Sequence, residues 1–196
     1  MLKRLLIINL MFVLLLTGFV STSSAKNLYR NEACKFRITF PEGWKVKRGS
    51  CPGPVVTASD IKGASINITT EKTDPNNTAD MLSLALIPEI LKSMETIFSD
   101  VELLDKSETY ICSKKALMAE YNGTYKHIKA SSRITVLSFV TVNNGHLITI
   151  TCSTGLSLYK NYKKMFLDSV STFVFEDYII GLSPVATTKD SPANYT

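Results

Sequence analysis

The sequence of 196 residues is poor in the side chains that do chemistry. It holds two histidines, His127 and His146, and a single tryptophan. No H-x-x-x-H, H-E-x-x-H or Cys/His spacing joins either histidine to a second metal ligand, so no metal and no cofactor is expected. Serine is plentiful, yet none stands in a G-x-S-x-G elbow, and a serine nucleophile needs both a base within reach and a group that orients the base. A Walker A loop and a G-x-G-x-x-G turn are also missing. Charge of one sign is not concentrated: 22 Lys and Arg face 17 Asp and Glu, for a net +5. A nucleic-acid binder clusters its basic residues at higher density, so that partner is not expected. Beyond the first 25 residues no apolar run approaches the ~20 residues that cross a bilayer.

What is present begins with an address. "MLKRLLIINLMFVLLLTGFVSTSSAKN" opens on Lys3 and Arg4, runs apolar from Leu5 to Val20, and ends in small residues with Ser23 and Ala25 spaced as a cleavage site. This is the pattern of a secretory signal peptide over residues 1–25, which predicts a periplasmic or secreted protein whose membrane contact is limited to the leader. Loss of the leader leaves about 170 residues, the size of one domain with its own core, and a charge of about +3.

Export changes the meaning of the four cysteines, Cys34, Cys51, Cys112 and Cys152. An oxidising destination predicts that they sit in disulfides, and three pairings are open. "CKFRITFPEGWKVKRGSC" bears on the choice. Cys34, Phe36, Ile38 and Phe40 alternate with Lys35, Arg37 and Thr39, the period of a half-buried strand. After "PEG" come Trp44 and Val46, interleaved with Lys45 and Lys47. A three-residue loop with Gly43 left-handed would set Phe40 against Trp44 and Ile38 against Val46 on one buried face. In that hairpin Cys34 lies opposite Ser50. Gly49 can end or bulge the strand, so a Cys34–Cys51 staple is expected. A spacing so far from C-x-x-C suits neither a redox pair nor a zinc knuckle.

The rest of the chain reads as strands and two helices. "ASINITTEK" is a strand with Ile66 and Ile68 inward. "TDPNNT" is a loop capping a helix at Asn77 or Thr78, with a kink or helix junction at Pro88. Ile87, Ile90, Leu91, Met94, Ile97 and Phe98 form its apolar stripe. Strands follow over "VELLDKSETYIC", "ALMAEYNGTYKHIKA", "SSRITVLSFVTV" and "LITITCS", the last two joined by an Asn-Gly turn. Apolar residues on both faces of the segment from Ile134 to Val142 predict a central strand covered on both sides. A second helix carries Tyr159, Tyr162, Phe166, Val170 and Phe173 at helical spacing, with Lys160, Lys163 and Lys164 on the other side. The polar end, 177–196, reads as a disordered tail. The fold class is α+β: an antiparallel sheet of about six to eight strands flanked by two main helices.

"FRITFPEGW" near the mature N-terminus, the "INI" strand, the mid-chain helix, the hairpin meander and a last helix running into "SVSTFVF" resemble the PsbP-like superfamily. That superfamily includes the PsbP oxygen-evolving accessory proteins, DcrB-type bacterial envelope proteins and a Ran-binding nuclear-import factor. The resemblance covers about residues 28–176 and places a PsbP-like domain over 26–176. It implies a non-enzymatic accessory or binding module. A photosystem role is not carried over, because the leader is a plain secretory signal rather than a transit peptide, and export conflicts with a nuclear role. No divalent-metal ligand set known from such proteins has matching residues here.

The function expected is therefore that of an exported, non-catalytic binding or accessory module of the cell envelope. Its partner would be a protein or an anionic envelope component. Lys126, His127, Lys129 and Arg133 in "YKHIKASSR" are the candidate anion-binding residues, joined by the lysines of the last helix if they share its surface. The alternative is a hydrolase acting on an envelope polymer through paired carboxylates, since two acids can meet from anywhere in a chain. Glu71, Asp74, Glu102 and Asp105 lie near strand ends and loops, where acids are ordinarily solvated. Asn67, Asn76, Asn122 and Asn194 each open an N-x-[ST] sequon.

Overall fold

A computed structural model describes residues 27–126 and 132–176. The leader and the polar tail expected from the sequence lie outside the described residues. Ten strands are described: β1 (Leu28–Asn31), β2 (Phe36–Thr39), β3 (Lys45–Arg48), β4 (Gly53–Ser59), β5 (Ser65–Lys72), β6 (Phe98–Ile111), β7 (Lys114–Tyr125), β8 (Arg133–Asn143), β9 (His146–Gly155) and β10 (Val174–Phe175). The α-helices among the described residues are α1 (Ile87–Met94) and α2 (Tyr159–Ser171). Seven strands form one antiparallel sheet in the order β3-β4-β5-β9-β8-β7-β6, and three form a smaller one, β1-β2-β10. This is the α+β architecture the sequence predicts.

The expected hairpin is not formed. Its inward residues are buried as read, with Phe36, Ile38, Phe40 and Trp44 all in the core. The turn is real too: the Trp44 amide donates to the Pro41 carbonyl at 3.3 Å, and Gly43 takes φ +78°. But β2 lies between β1 and β10, so both of its edges are occupied and none is left for β3. β3 pairs with β4 in the larger sheet instead. The disulfide joins Cys34 to Cys51 as expected, with Cα atoms 6.2 Å apart. It links the β1–β2 connection to the β3–β4 connection, and so ties the two sheets together rather than stapling one hairpin. Gly49 makes the second of these turns possible. Its amide donates to the Val55 carbonyl at 2.7 Å, and a Cβ there would fall 1.9 Å from the Pro54 carbonyl oxygen.

The expectation of four bonded cysteines is corrected at Cys112 and Cys152, which are free thiols. Cys112 sits in the β6–β7 turn, whereas Cys152 lies in β9 opposite Leu137 of β8. Strand β8 and at least part of β7 separate them. Two strand spacings of about 4.8 Å already exceed the ~7 Å limit for bridging Cα atoms.

The large sheet has two unlike faces. On one, Ile66, Ile68, Leu137, Phe139, Ile148, Ile150 and Cys152 meet α2 and the small sheet. Aromatics seal this side: Trp44 meets Phe166 edge-on at 6.3 Å, and Phe36 stacks on Phe173 at 5.0 Å. The Tyr162 hydroxyl donates to the Asp60 carboxylate and ties α2 to the β4–β5 turn. On the other face Leu117, Ala119, Tyr121, Ile134, Val136, Val140 and Val142 are covered by Leu82, Ile87, Ile90, Met94 and Phe98. Strand β8 is thus buried on both sides, as its pattern predicts.

The cover on this second face is more broken than the kink or helix junction expected at Pro88. Residues 79–81 and 84–86 form two separate 3₁₀ turns, and only from Ile87 does an α-helix run, with Pro88 in its first turn. A proline is tolerated there because the first amides of a helix have no intrahelical partner. Thr78 occupies the cap position of the first turn, but its side chain makes no capping bond. Ser83 does cap, accepting from the Ala85 amide at 3.2 Å. The Asn-Gly turn forms as expected, with Asn144 at φ 48° and Gly145 at φ 68°.

Candidate functional site

Two features of the large sheet are built from groups that an ordinary core would not need. The first is a polar row on the α2 face. Register aligns Glu102 of β6, Asn122 of β7, Thr135 of β8 and Thr154 of β9. Thr135 Oγ1 donates to Asn122 Oδ1 at 2.8 Å, and Asn122 Nδ2 to Glu102 Oε2 at 3.4 Å. Arg133 closes the row with a 2.6 Å ion pair to the same Glu102 oxygen. One register step away, the largely buried Glu120 pairs with Lys163 of α2 at 2.7 Å, and that ammonium lies 5.6 Å from the Tyr159 ring centre. Burial first, and then the neighbouring Glu120 carboxylate, hold the Tyr159 phenol well above its ordinary value.

This row disposes the expected site residues in particular ways. His127 and Lys129 lie outside the described residues. Lys126 and Arg133 are separated: the Lys126 ammonium donates to the Glu95 carbonyl at 2.5 Å, at the C-terminal end of α1, while Arg133 lies on the α2 face with Glu102. A cation is favourable at a helix C-terminus, where unpaired carbonyls gather. Lys163 and Lys164 are answered by Glu120 and by Asp168, the latter at 2.6 Å. Lys126, Arg133, Lys163 and Lys164 thus each serve a local partner.

Nor do the four candidate acids converge. Glu71 lies on β5 and Asp74 in the loop after it, whereas Glu102 and Asp105 lie on β6, with β9, β8 and β7 between. Asp74 Oδ1 accepts from the Asn76 amide at 2.9 Å and Asp105 Oδ1 from the Lys106 amide at 2.8 Å, both local turn-type bonds. Among the described residues no group of three or more His, Cys, Asp and Glu side chains could hold a metal ion. Of the sequon asparagines, Asn67 and Asn122 are buried and Asn76 is exposed.

The second feature is a cavity of about 120 Å³ beneath the two 3₁₀ turns and α1. Its floor is Leu117, Ser138, Val140, Val142 and Leu147 of the sheet; its roof is Leu82, Leu86, Ile90 and Met94. Thr73, Asn77, Thr78 and Glu89 also line it, beside Met81, whose side chain is 63% exposed. Two sequence details make the space. Ser138 is the one small polar residue in the series Ile134, Val136, Ser138, Val140, Val142, so the floor dips at its centre. The broken helix spans the gap with turns instead of a continuous stripe. The signal for this space in the sequence is a serine at the middle of an otherwise apolar strand face.

A family model, PsbP, matches residues 25–175. Among solved structures, the cyanobacterial PsbP of Synechocystis sp. PCC 6803 aligns at a TM-score of 0.62 and 19% identity, covering 81% of this chain and 98% of that one. LpqN of Mycobacterium tuberculosis, described as involved in cell envelope biogenesis, aligns at 0.49 and 12% identity, over 71% of this chain and 82% of its own. PA94 of Pseudomonas aeruginosa, a protein of unknown function, aligns at 0.46 and 11%, over 74% and 93%. No curated protein matches the chain by sequence. The PsbP structure has the same fold.

Proposed function

Because the chain belongs to the PsbP family, we propose that it is an exported, non-catalytic binding module of the cell envelope that holds a partner protein through the cavity under α1. The cavity itself carries this reading. At about 120 Å³ it is far smaller than the ~300–1,000 Å³ of a typical small-molecule site. It approaches the ~150 Å³ that accepts a single benzene ring in an engineered core. A space of that size and lining suits one apolar side chain from a partner, the anchor-and-pocket arrangement that dominates binding energy in protein interfaces. The exposed Met81 at its mouth offers adaptable contact area. A compartment outside the cytosol is supported by the Cys34–Cys51 bond.

Filling the cavity tests the reading. Ser138→Leu places an isobutyl group in the floor without touching the α2 face. A protein captured from the native envelope by the wild-type chain is expected to be lost with this variant, while the thermal midpoint is kept or raised. Equal capture by both chains, with the filled cavity verified by structure, removes the cavity from the binding site.

A further inference from the structure

The two edges of the large sheet are unequally protected. Edge strand β3 has four residues, three of them cationic, Lys45, Lys47 and Arg48. Such a short charged edge resists pairing with another chain. The opposite edge, β6, is 14 residues long. Its first part is interrupted by register shifts between Ser99 and Glu102 and between Leu103 and Asp105, but from Asp105 to Ile111 it pairs with β7 without a break. Along this regular stretch no further strand lies beyond β6 among the described residues, and the Lys106 amide is held only by its neighbour's side chain, donating to Asp105 Oδ1 at 2.8 Å. Tyr110 is 73% exposed here.

We propose that β6 is a self-pairing surface: two copies of the chain join antiparallel through Asp105–Thr109 about a two-fold axis at Ser107, continuing one sheet through both copies. The register follows from charge. With Ser107 opposite its own symmetry mate, Lys106 faces Glu108 twice and Asp105 faces Thr109. Opposite charges directly across a ladder stabilise it. Moving the axis to Lys106 sets lysine against lysine, and moving it to Glu108 sets glutamate against glutamate. A shift by one residue opposes side chains of different faces. Glu108 already receives Lys115 from the adjacent strand at 3.0 Å, so Lys106 of the second copy would complete a three-charge group. Each residue contacts its counterpart reciprocally, as an isologous dimer requires.

The test uses sedimentation velocity on the purified chain, as its host processes it. The wild type is expected to double in mass as concentration rises. K106E puts two glutamates opposite each other and E108K two lysines, so each variant alone is expected to remain monomeric. An equimolar mixture restores both ion pairs, and the doubled mass is expected to return; a variant that had merely misfolded would not recover on mixing. Under mild oxidation in a Cys112→Ser background, Ser107→Cys is expected to give a cross-linked dimer, because the two Cα atoms of a directly opposed pair lie about 4.5–5.5 Å apart. Thr109→Cys, opposite Asp105, is not. The proposal is overturned by a wild type that stays monomeric while S107C cross-links no faster than T109C. It is equally overturned by a dimer that survives both charge reversals.

Discussion

Removing the bond between the two sheets has a calculable effect. Cys34 and Cys51 are 17 residues apart, and closing a loop of that length in the unfolded chain lowers its entropy enough to stabilise the fold by about 3 kcal/mol. Little of this is expected from native contacts. The small sheet is held independently by Tyr29, Phe36, Ile38, Phe40 and Phe175, all buried in the shared core, and the sulfurs add only 3.5 Å contacts to Thr70 Oγ1. A C34S/C51S chain should therefore keep its structure while losing about 3 kcal/mol of unfolding free energy, or roughly 6–12 °C in thermal midpoint at this domain size. Urea unfolding followed by fluorescence provides the assay. Trp44 is the chain's only tryptophan, and it packs against Tyr162 and Phe166 at 6.3 Å. The m-value should rise, since an uncrosslinked chain exposes more surface on unfolding. Reducing agent should bring the wild type to the same curve. A loss below about 1 kcal/mol with an unchanged m-value would refute the chain-entropy account.

Gly49→Ala should destabilise by at least about 2 kcal/mol in the same assay, because the added carbon meets backbone rather than a movable side chain. In the native protein a maleimide should label Cys112 and leave Cys152 untouched until the chain unfolds: Cys152 is fully buried, and burial holds its thiol far above the ordinary range. Stability should fall at alkaline pH. Tyr121 and Cys152 are raised by burial from ordinary values of 10.0 and 9.0, so above about pH 9 the unfolded chain releases protons that the folded one retains. Their contribution is complete below that pH and is lost as it rises, a trend that unfolding curves across the range measure directly.

Local order was legible wherever a few neighbouring residues decide it. The alternation around Phe36 and Ile38, the double-sided apolar run of β8, the Asn144–Gly145 turn and the stripe of α2 all report conditions a segment meets by itself. Pairing choices are different. Nothing in "FRIT" or "KVKR" tells that β2's edges are claimed by "LYRN", which lacks a strand alternation long enough to notice, and by the dipeptide Val174–Phe175 from the far end of the chain. Once those edges are filled, the turn at Gly43 delivers β3 to another sheet, and the same two cysteines meet across a different geometry. The separation of Lys126 from Arg133 has a related reason. Proximity in "YKHIKASSR" says nothing of face: the Lys126 ammonium meets the Glu95 carbonyl at a helix end, whereas Arg133 pairs with Glu102 of β6.

The two faces of the sheet also differ in how completely they are packed. The α2 face is closed by interlocking aromatics and two charge-assisted polar groups, so its residues are committed to each other and offer a partner little. On the α1 face the same strands are covered by turns of three residues each, which cannot fill every depression because each turn fixes its own side-chain directions. Ser138 deepens the floor of the cavity that these turns cover. A larger residue there would recover packing: filling a void of this kind typically returns on the order of 1 kcal/mol or more. Keeping a serine in the centre of an apolar strand thus gives up stability for open volume, the exchange that the proposed role of this cavity requires.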